Sequence, residues 1–169
     1  LGYAIPGAVV VVGLLLPVMW IQKQWPESHV GFWLTASVLG LIWAYLVRFC
    51  AVALQSIQSG YARIPSSLDD SARTLGVTGL ALLSRVHAPL LKRSVFAAAL
   101  LVFVDVMKEL PATLLLRPLN FETLATWLYA EASRGAYEDG ALAAIAIVLA
   151  GLPPVILLAR TNLSSEQRH

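Results

Sequence analysis

Three charged side chains stand together where the surrounding sequence is apolar: Asp105, Lys108 and Glu109, within Asp105-Val106-Met107-Lys108-Glu109-Leu110-Pro111. The run before them, Ser94 to Val104, carries no charge. Lys108 lies three residues from Asp105 and Glu109 four, so a helix would bring all three to one side. Charges at membrane depth are costly unless they face protein or water. Two readings stay open: a self-neutralising cluster that ends a helix, or the polar lining of a path through the protein. Pairing Lys108 with one acid leaves the other over. The expectation is that Asp105 and Lys108 pair structurally while Glu109 faces the path.

No reactive constellation accompanies them. A glycine-rich phosphate loop with Lys and Ser/Thr is missing, so this chain is not expected to bind ATP in that manner. No Cys or His pair stands at zinc spacing, and no metal ligand set is expected. Ser84, Ser94 and the three histidines lack the context of an activated nucleophile. His29 reads as solvated and His87 as a surface residue. The single cysteine, Cys50, lies in an apolar run and forms no intrachain disulfide.

Composition decides what must carry the charges. The 169 residues are 58% hydrophobic and 13% charged, against about a quarter charged in soluble domains. Mean hydropathy is +0.73. The net charge of +2 is too small to argue for nucleic acid. The chain begins at an apolar Leu1 and reads as a piece of something longer.

Four apolar spans are predicted. The first, about 3–21, contains Pro6, Gly7 and Pro17, which suits a kinked helix packed in protein. A polar loop follows, ringed by Trp20, Trp25 and Trp33, an interfacial belt. The second, about 31–54, is interrupted by Arg48, which near a span's end reads as snorkelling to the headgroups. The alternative for Arg48 is a structural pair with an acid elsewhere. The third span is 94–111, with Ala97, Ala98 and Ala99 as a close-packing face. The fourth, about 140–158, offers Gly140/Ala144 and Ala146/Ala150 for helix contact, and Pro153 and Pro154 bend or end it. Residues 120–139 read as a polar, partly helical outer loop whose acids are Glu122, Glu131, Glu138 and Asp139. Residues 55–93 hold Arg63, Arg73, Arg85, Lys92 and Arg93, and this excess of basic residues places the loop in the cytoplasm. Arg160 and the tail from Ser164 to His169 return to that side. The fold class expected is all-α, a polytopic helical membrane protein forming one unit over 1–169.

Within the basic loop, Ser66 to Pro89 is the longest run that is not a span. Ser67 followed by Asp70 reads as a weak capping box. Leu68, Ala72 and Leu75 fall at helical spacing, Gly76 stops the helix, and a second amphipathic turn around Leu80 and Leu83 leads to Pro89. The register Asp70-Ser71-Ala72, three residues, Gly76, nine residues, Val86-His87-Ala88-Pro89 resembles the cytoplasmic signature of type I permease subunits of ABC importers. That signature is Glu-Ala-Ala, three residues, Gly, nine residues, Ile, any residue, Leu, Pro. Here Asp70 replaces Glu, Ser71 replaces the first Ala, and Ala88 replaces Leu. The opening Gly2-Tyr3-Ala4-Ile5-Pro6-Gly7 is similar to the start of the corresponding span.

The resemblance implies that Asp70, Ser71, Ala72, Gly76, Val86 and Pro89 form a coupling helix that docks on a separate ATPase, which uses the ATP. It implies three further partners: an extracytoplasmic substrate-binding protein, a second permease unit, fused or dimeric, and the lipid of a bacterial plasma (inner) membrane. No cofactor is implied for this chain, nor any enzymatic activity of its own. The stretch Lys108 to Pro118 with Thr123-Leu124-Ala125 resembles the ferric-iron branch, so the expected cargo is ferric iron. A permease for thiamine, sulfate or a polyamine is the alternative within the class. An ATPase-independent secondary transporter or channel subunit is the alternative outside it.

Overall fold

The computed structural model describes residues 5–35 and 37–166, with side chains as far as Ala159. Gly2, Tyr3 and Ala4 of the opening hexapeptide and residues 167–169 of the tail lie outside the described residues, as do the side chains of Arg160 and Ser164. The described residues are helical and contain no strand.

Helix α1 runs Gly7–Gln24. Pro6 precedes it, where a missing N–H costs nothing, and Pro17 lies inside without ending it. The expected second span is divided, with α2 at Val30–Thr35 and α3 at Val38–Tyr61. Short hydroxyl side chains explain the division, because they compete for backbone groups. Thr35 Oγ1 donates to the Gly31 carbonyl at 2.7 Å. Ser37, in extended backbone, donates to the Trp33 carbonyl and accepts from the Leu39 N–H, so a new helix starts there. Helix α3 then continues to Tyr61 through residues expected to be loop, with Ser59 Oγ bonded back to the Gln55 carbonyl. Arg48 is therefore not near an end; it is the eleventh of 24 residues, counting 48 from 38.

Helix α4 is Ser66–Thr74 and α5 is Gly79–Leu82. A π turn, Leu83–His87, joins α5 to α6, Ala88–Met107, with the Ala88 N–H reaching back to the Leu83 carbonyl. No break separates α5 from α6. Pro89 does sit in the first turn of α6, but the chain stays helical from Gly79 to Met107. The wider π turn ends two residues before Pro89, which cannot donate a helical hydrogen bond.

Helix α6 ends at Met107, short of the expected 111, and α7 begins at Pro111 and runs to Leu116. Helix α8 is Leu124–Ser133, held by a capping box of Thr123 and Thr126. Helix α9 is Tyr137–Glu166 and passes through Pro153 and Pro154, so these prolines do not end it.

Three described helices are long and apolar enough to cross a membrane: Gly7–Gln24, Val38–Tyr61 and Tyr137–Ala159, with hydropathies of 1.5, 1.8 and 2.6. Helix α6 has 20 residues, and every 18-residue window in it contains Lys92, Arg93 and Asp105. The fold is that of an all-α membrane protein. Helix α3 packs along α6, where Gly60 admits the Ser94 side chain; a Cβ there would stand 2.0 Å from Ser94 Oγ. Helix α8 packs on α9, and Gly140 is buried against Leu128 and Glu131. A core of Val11, Leu41, Ala44, Ala112 and Leu116 fastens α1 and α3 to α7.

Candidate functional site

The break between α6 and α7 gathers the charged cluster. Lys108 caps the C-terminus of α6, where a cation suits the helix dipole, and its Nζ lies 2.8 Å from Asp105 Oδ1. Glu109 does not face open space. It is buried, 5% exposed, with Oε2 3.2 Å from Arg48 Nε, an ion pair set off hydrogen-bond alignment. Its Oε1 accepts the Ala112 N–H at 3.1 Å, which anchors the start of α7. Arg48 Nη1 also donates to the Ile5 carbonyl at 3.4 Å. Gly7 makes room for this pair: a Cβ there would stand 2.5 Å from both Arg48 Nη1 and Glu109 Oε1. Thr113 Oγ1 donates to the Glu109 carbonyl at 2.8 Å and meets the Tyr45 hydroxyl.

Two expectations are corrected here. Arg48 takes its alternative reading and not the snorkelling one: from mid-helix it pairs with an acid 61 residues later, 109 minus 48. Glu109 is not the acid left over, because Arg48 brings the cluster to two cations and two anions. Asp105, Lys108 and Glu109 nevertheless line one cavity of about 280 Å³, with Arg48, Phe49 and Pro111. A larger cavity of about 500 Å³ between α1, α2 and α3 is walled by apolar side chains such as Leu15, Val18 and Trp43. It offers nothing to hold a charged solute.

The second candidate is the segment between α3 and α6. Ser67 and Asp70 do not form the expected capping box. Helix α4 starts two residues earlier, after Pro65, which offers no side-chain cap. The Ser67 carbonyl instead accepts from the Ser71 hydroxyl at 2.8 Å. Gly76 stops α4 as expected, at φ +77°, with its N–H on the Arg73 carbonyl and the Val77 N–H on that of Ala72, both at 2.9 Å. This is a Schellman closure. Gly79 also has positive φ, +58°, which the spacing did not foretell.

Of the apolar face, Ala72 is buried, while Leu75 and Leu80 are 82% and 83% exposed and Leu83 is also exposed. Asp70, Ser71 and Pro89 lie exposed and Val86 is half-buried. His87 is not the surface residue expected. It is 5% exposed, with Nε2 3.1 Å from Asp69 Oδ1 and its ring 5.2 Å from that of Tyr61. Its position on the inward side of the π turn explains this, and a helical phase counted without that turn misses it.

Between α7 and α8, Glu122 pairs with Arg117 and accepts from the Thr126 hydroxyl at 2.8 Å. The Thr126 bond, then Arg117, holds the Glu122 carboxyl below its ordinary range. Glu131 is buried and paired with Arg134, so it is not one of the open acids of a loop.

No protein-family model and no solved structure matches the chain. Over 157 residues, 92% of the chain, it is 27% identical to a Salmonella typhimurium protein named as a 2-aminoethylphosphonate transport system permease. Over 156 residues it is 26% identical to an Fe(3+)-transport system permease of Haemophilus influenzae. The chain is similar to ABC-type permeases. It spans 56% of the length of the first relative and 29% of the second. The permease resemblance drawn from the Asp70–Pro89 register and the Lys108–Pro118 stretch is thereby borne out. Both permease relatives align across nearly the whole described helical unit, the charged break and the surface segment included.

Proposed function

We propose that the chain is the core of one permease unit of an ATP-driven importer in a bacterial inner membrane. It crosses the bilayer repeatedly, takes substrate from an extracytoplasmic binding protein, and couples to a separate ATPase through residues 62–89. The observation that carries this reading is the Gly76 closure with Leu75, Leu80 and Leu83 turned outward at the head of an unbroken helical rod. Asp70, Ser71, Ala72, Gly76, Val86 and Pro89 belong to that docking segment. Just past the far end of the rod, Asp105, Lys108 and Glu109 line the translocation path together with Arg48, held as the pairs Lys108–Asp105 and Arg48–Glu109.

Ferric iron is the first substrate reading, supported by the Lys108–Pro118 stretch and by the name of the Haemophilus relative. A 2-aminoethylphosphonate-like solute is the second, and a specific observation favours it. Ferric iron is a hard cation that prefers oxygen ligands, and a cluster of two cations and two anions leaves it no spare carboxylate. The test is uptake into vesicles holding the complete transporter, with ferric iron and 2-aminoethylphosphonate supplied in turn and with or without ATP. ATP-dependent uptake of either supports the importer reading and selects the substrate. Uptake that proceeds without ATP, together with failure to co-purify an ATPase, overturns it.

A further inference from the structure

Helix α4 is held to the rest of the chain by little. Its C-terminal link to α5 is Leu75 to Thr78, entered and left through two glycines at positive φ, Gly76 and Gly79. Neither glycine has anything within 4 Å of where a Cβ would sit, so the link is unbraced. Helix α4 packs broadly against none of the other described helices. What reaches across from it among the described residues is the buried Ala72 and Asp69, whose Oδ1 lies 3.1 Å from His87 Nε2 in an ion pair set off hydrogen-bond alignment.

His87 is the last residue of the π turn, the one place where the rod from Gly79 to Met107 departs from α geometry. A π turn holds one residue more than an α turn, so it can pass that residue along without unwinding the helix. The imidazole is also held by Tyr61, the last residue of α3. Helix α3 thus touches the residues that flank α6 at two places, through Tyr61 at its end on His87 and through Arg48 at its middle on Glu109. His87 Nδ1 is buried with no hydrogen-bond partner among the described residues. Buried polar atoms are seldom left so.

We infer that Asp69 and His87 are positioning residues that carry displacement of the docking turn into α6, with the π turn as the element that shifts. This rests on the importer reading above. When an ATPase moves α4, the glycine link yields and the Asp69–His87 contact takes the load. His87 is drawn with Asp69, the π turn shifts, and α6 moves at its far end beside Asp105.

The experiment uses the complete transporter in liposomes, with ATP hydrolysis and solute uptake measured in the same vesicles. Asp69→Asn and His87→Phe are expected to raise the ATP consumed per solute by about fivefold or more, at unchanged membrane levels. His87→Gln, which keeps a donor near the Nε2 position, is expected to stay within about twofold of the parent. The exchanged pair, Asp69→His with His87→Asp, is expected to recover most of the lost coupling. A parent ratio in Asp69→Asn overturns the inference, and so does His87→Gln as uncoupled as His87→Phe. Should His87→Phe fail to accumulate, Asp69→Asn decides, because Asp69 is only half-buried. Parent vesicles without ATP-driven uptake sink the importer reading instead. Tryptic cleavage after Arg73 then judges the contact: faster release in Asp69→Asn upholds it, and equal rates overturn it.

Discussion

Replacing Glu109 by glutamine removes one charge from a largely buried pair. The amide oxygen can still accept the Ala112 N–H, so the start of α7 keeps its hydrogen bond and the loss is electrostatic. Arg48 then stands charged and uncompensated at the eleventh of 24 residues of α3. Breaking a buried pair from one side costs about 3–5 kcal/mol. At the lower figure the folded-to-unfolded ratio drops by a factor on the order of 100. The assay is unfolding of the purified protein from mild detergent into dodecyl sulfate, followed by tryptophan fluorescence. Glu109→Gln should unfold far earlier in the titration. Arg48→Met with Glu109→Gln should regain most of the loss, since no charge is left buried. Gly7→Ala should reach a similar loss from the other side, because its Cβ would lie 2.5 Å from both charged groups. Glu109→Gln within about 0.5 kcal/mol of the parent refutes the argument, as does a double variant no firmer than the single. Either result would return Glu109 to the role of an open acid on the path.

Three further expectations follow from particular contacts. Gly76→Leu forces a side chain into φ +77° at a cost of about 1 kcal/mol with no clash, so membrane levels should hold while uptake per ATP falls; unchanged uptake removes the docking turn from the account. In a Cys50→Ser background, Leu119→Cys, at a position 96% exposed, should react with an impermeant thiol reagent on intact cells and Leu75→Cys should not; the opposite pattern reverses the orientation. Glu122 has a folded pKa lowered from 4.5 by the Thr126 bond and then Arg117, so its stabilisation is present above the unfolded value and lost as pH falls through the folded one. Glu122→Gln should therefore flatten the fall in stability on the acid side of pH 4.5, and an unaltered acid limb counts against the contact.

What could be read in advance followed from local rules. Gly76 was legible because a helix stop needs positive φ and glycine supplies it without strain. The Asp105–Lys108 pair was legible because three residues bring two side chains to one helix face. The division at Ser37 was hidden, since one hydroxyl that turns to the backbone barely alters a hydropathy window. Arg48 and Glu109 are neighbours only once α1, α3 and α7 have met, and nothing at either position names the other. His87 was misplaced for a different reason. Its burial depends on a five-residue π turn, and a register counted at 3.6 residues per turn points it elsewhere. Pro153 and Pro154 were expected to bend or end the fourth span, and α9 runs on through them to Glu166. In a bilayer the helix is the form that satisfies its own backbone, and an interrupted one has no solvent to fall back on.

The separation of Arg48 from Glu109 also has a meaning in time. Synthesis runs from the N-terminus, so α3 is made with its arginine well before the acid that will pair with it. At about 5–20 residues per second, the 61 intervening residues take roughly 3–12 s. Through that interval α3 must hold a central arginine that costs about 2.5–3.5 kcal/mol to insert, sustained by the hydropathy of its other residues. A translating ribosome that stalls between Arg48 and Glu109 would leave a half-made chain with a charge in the bilayer and no partner, and such a chain is a natural target for a membrane quality-control protease.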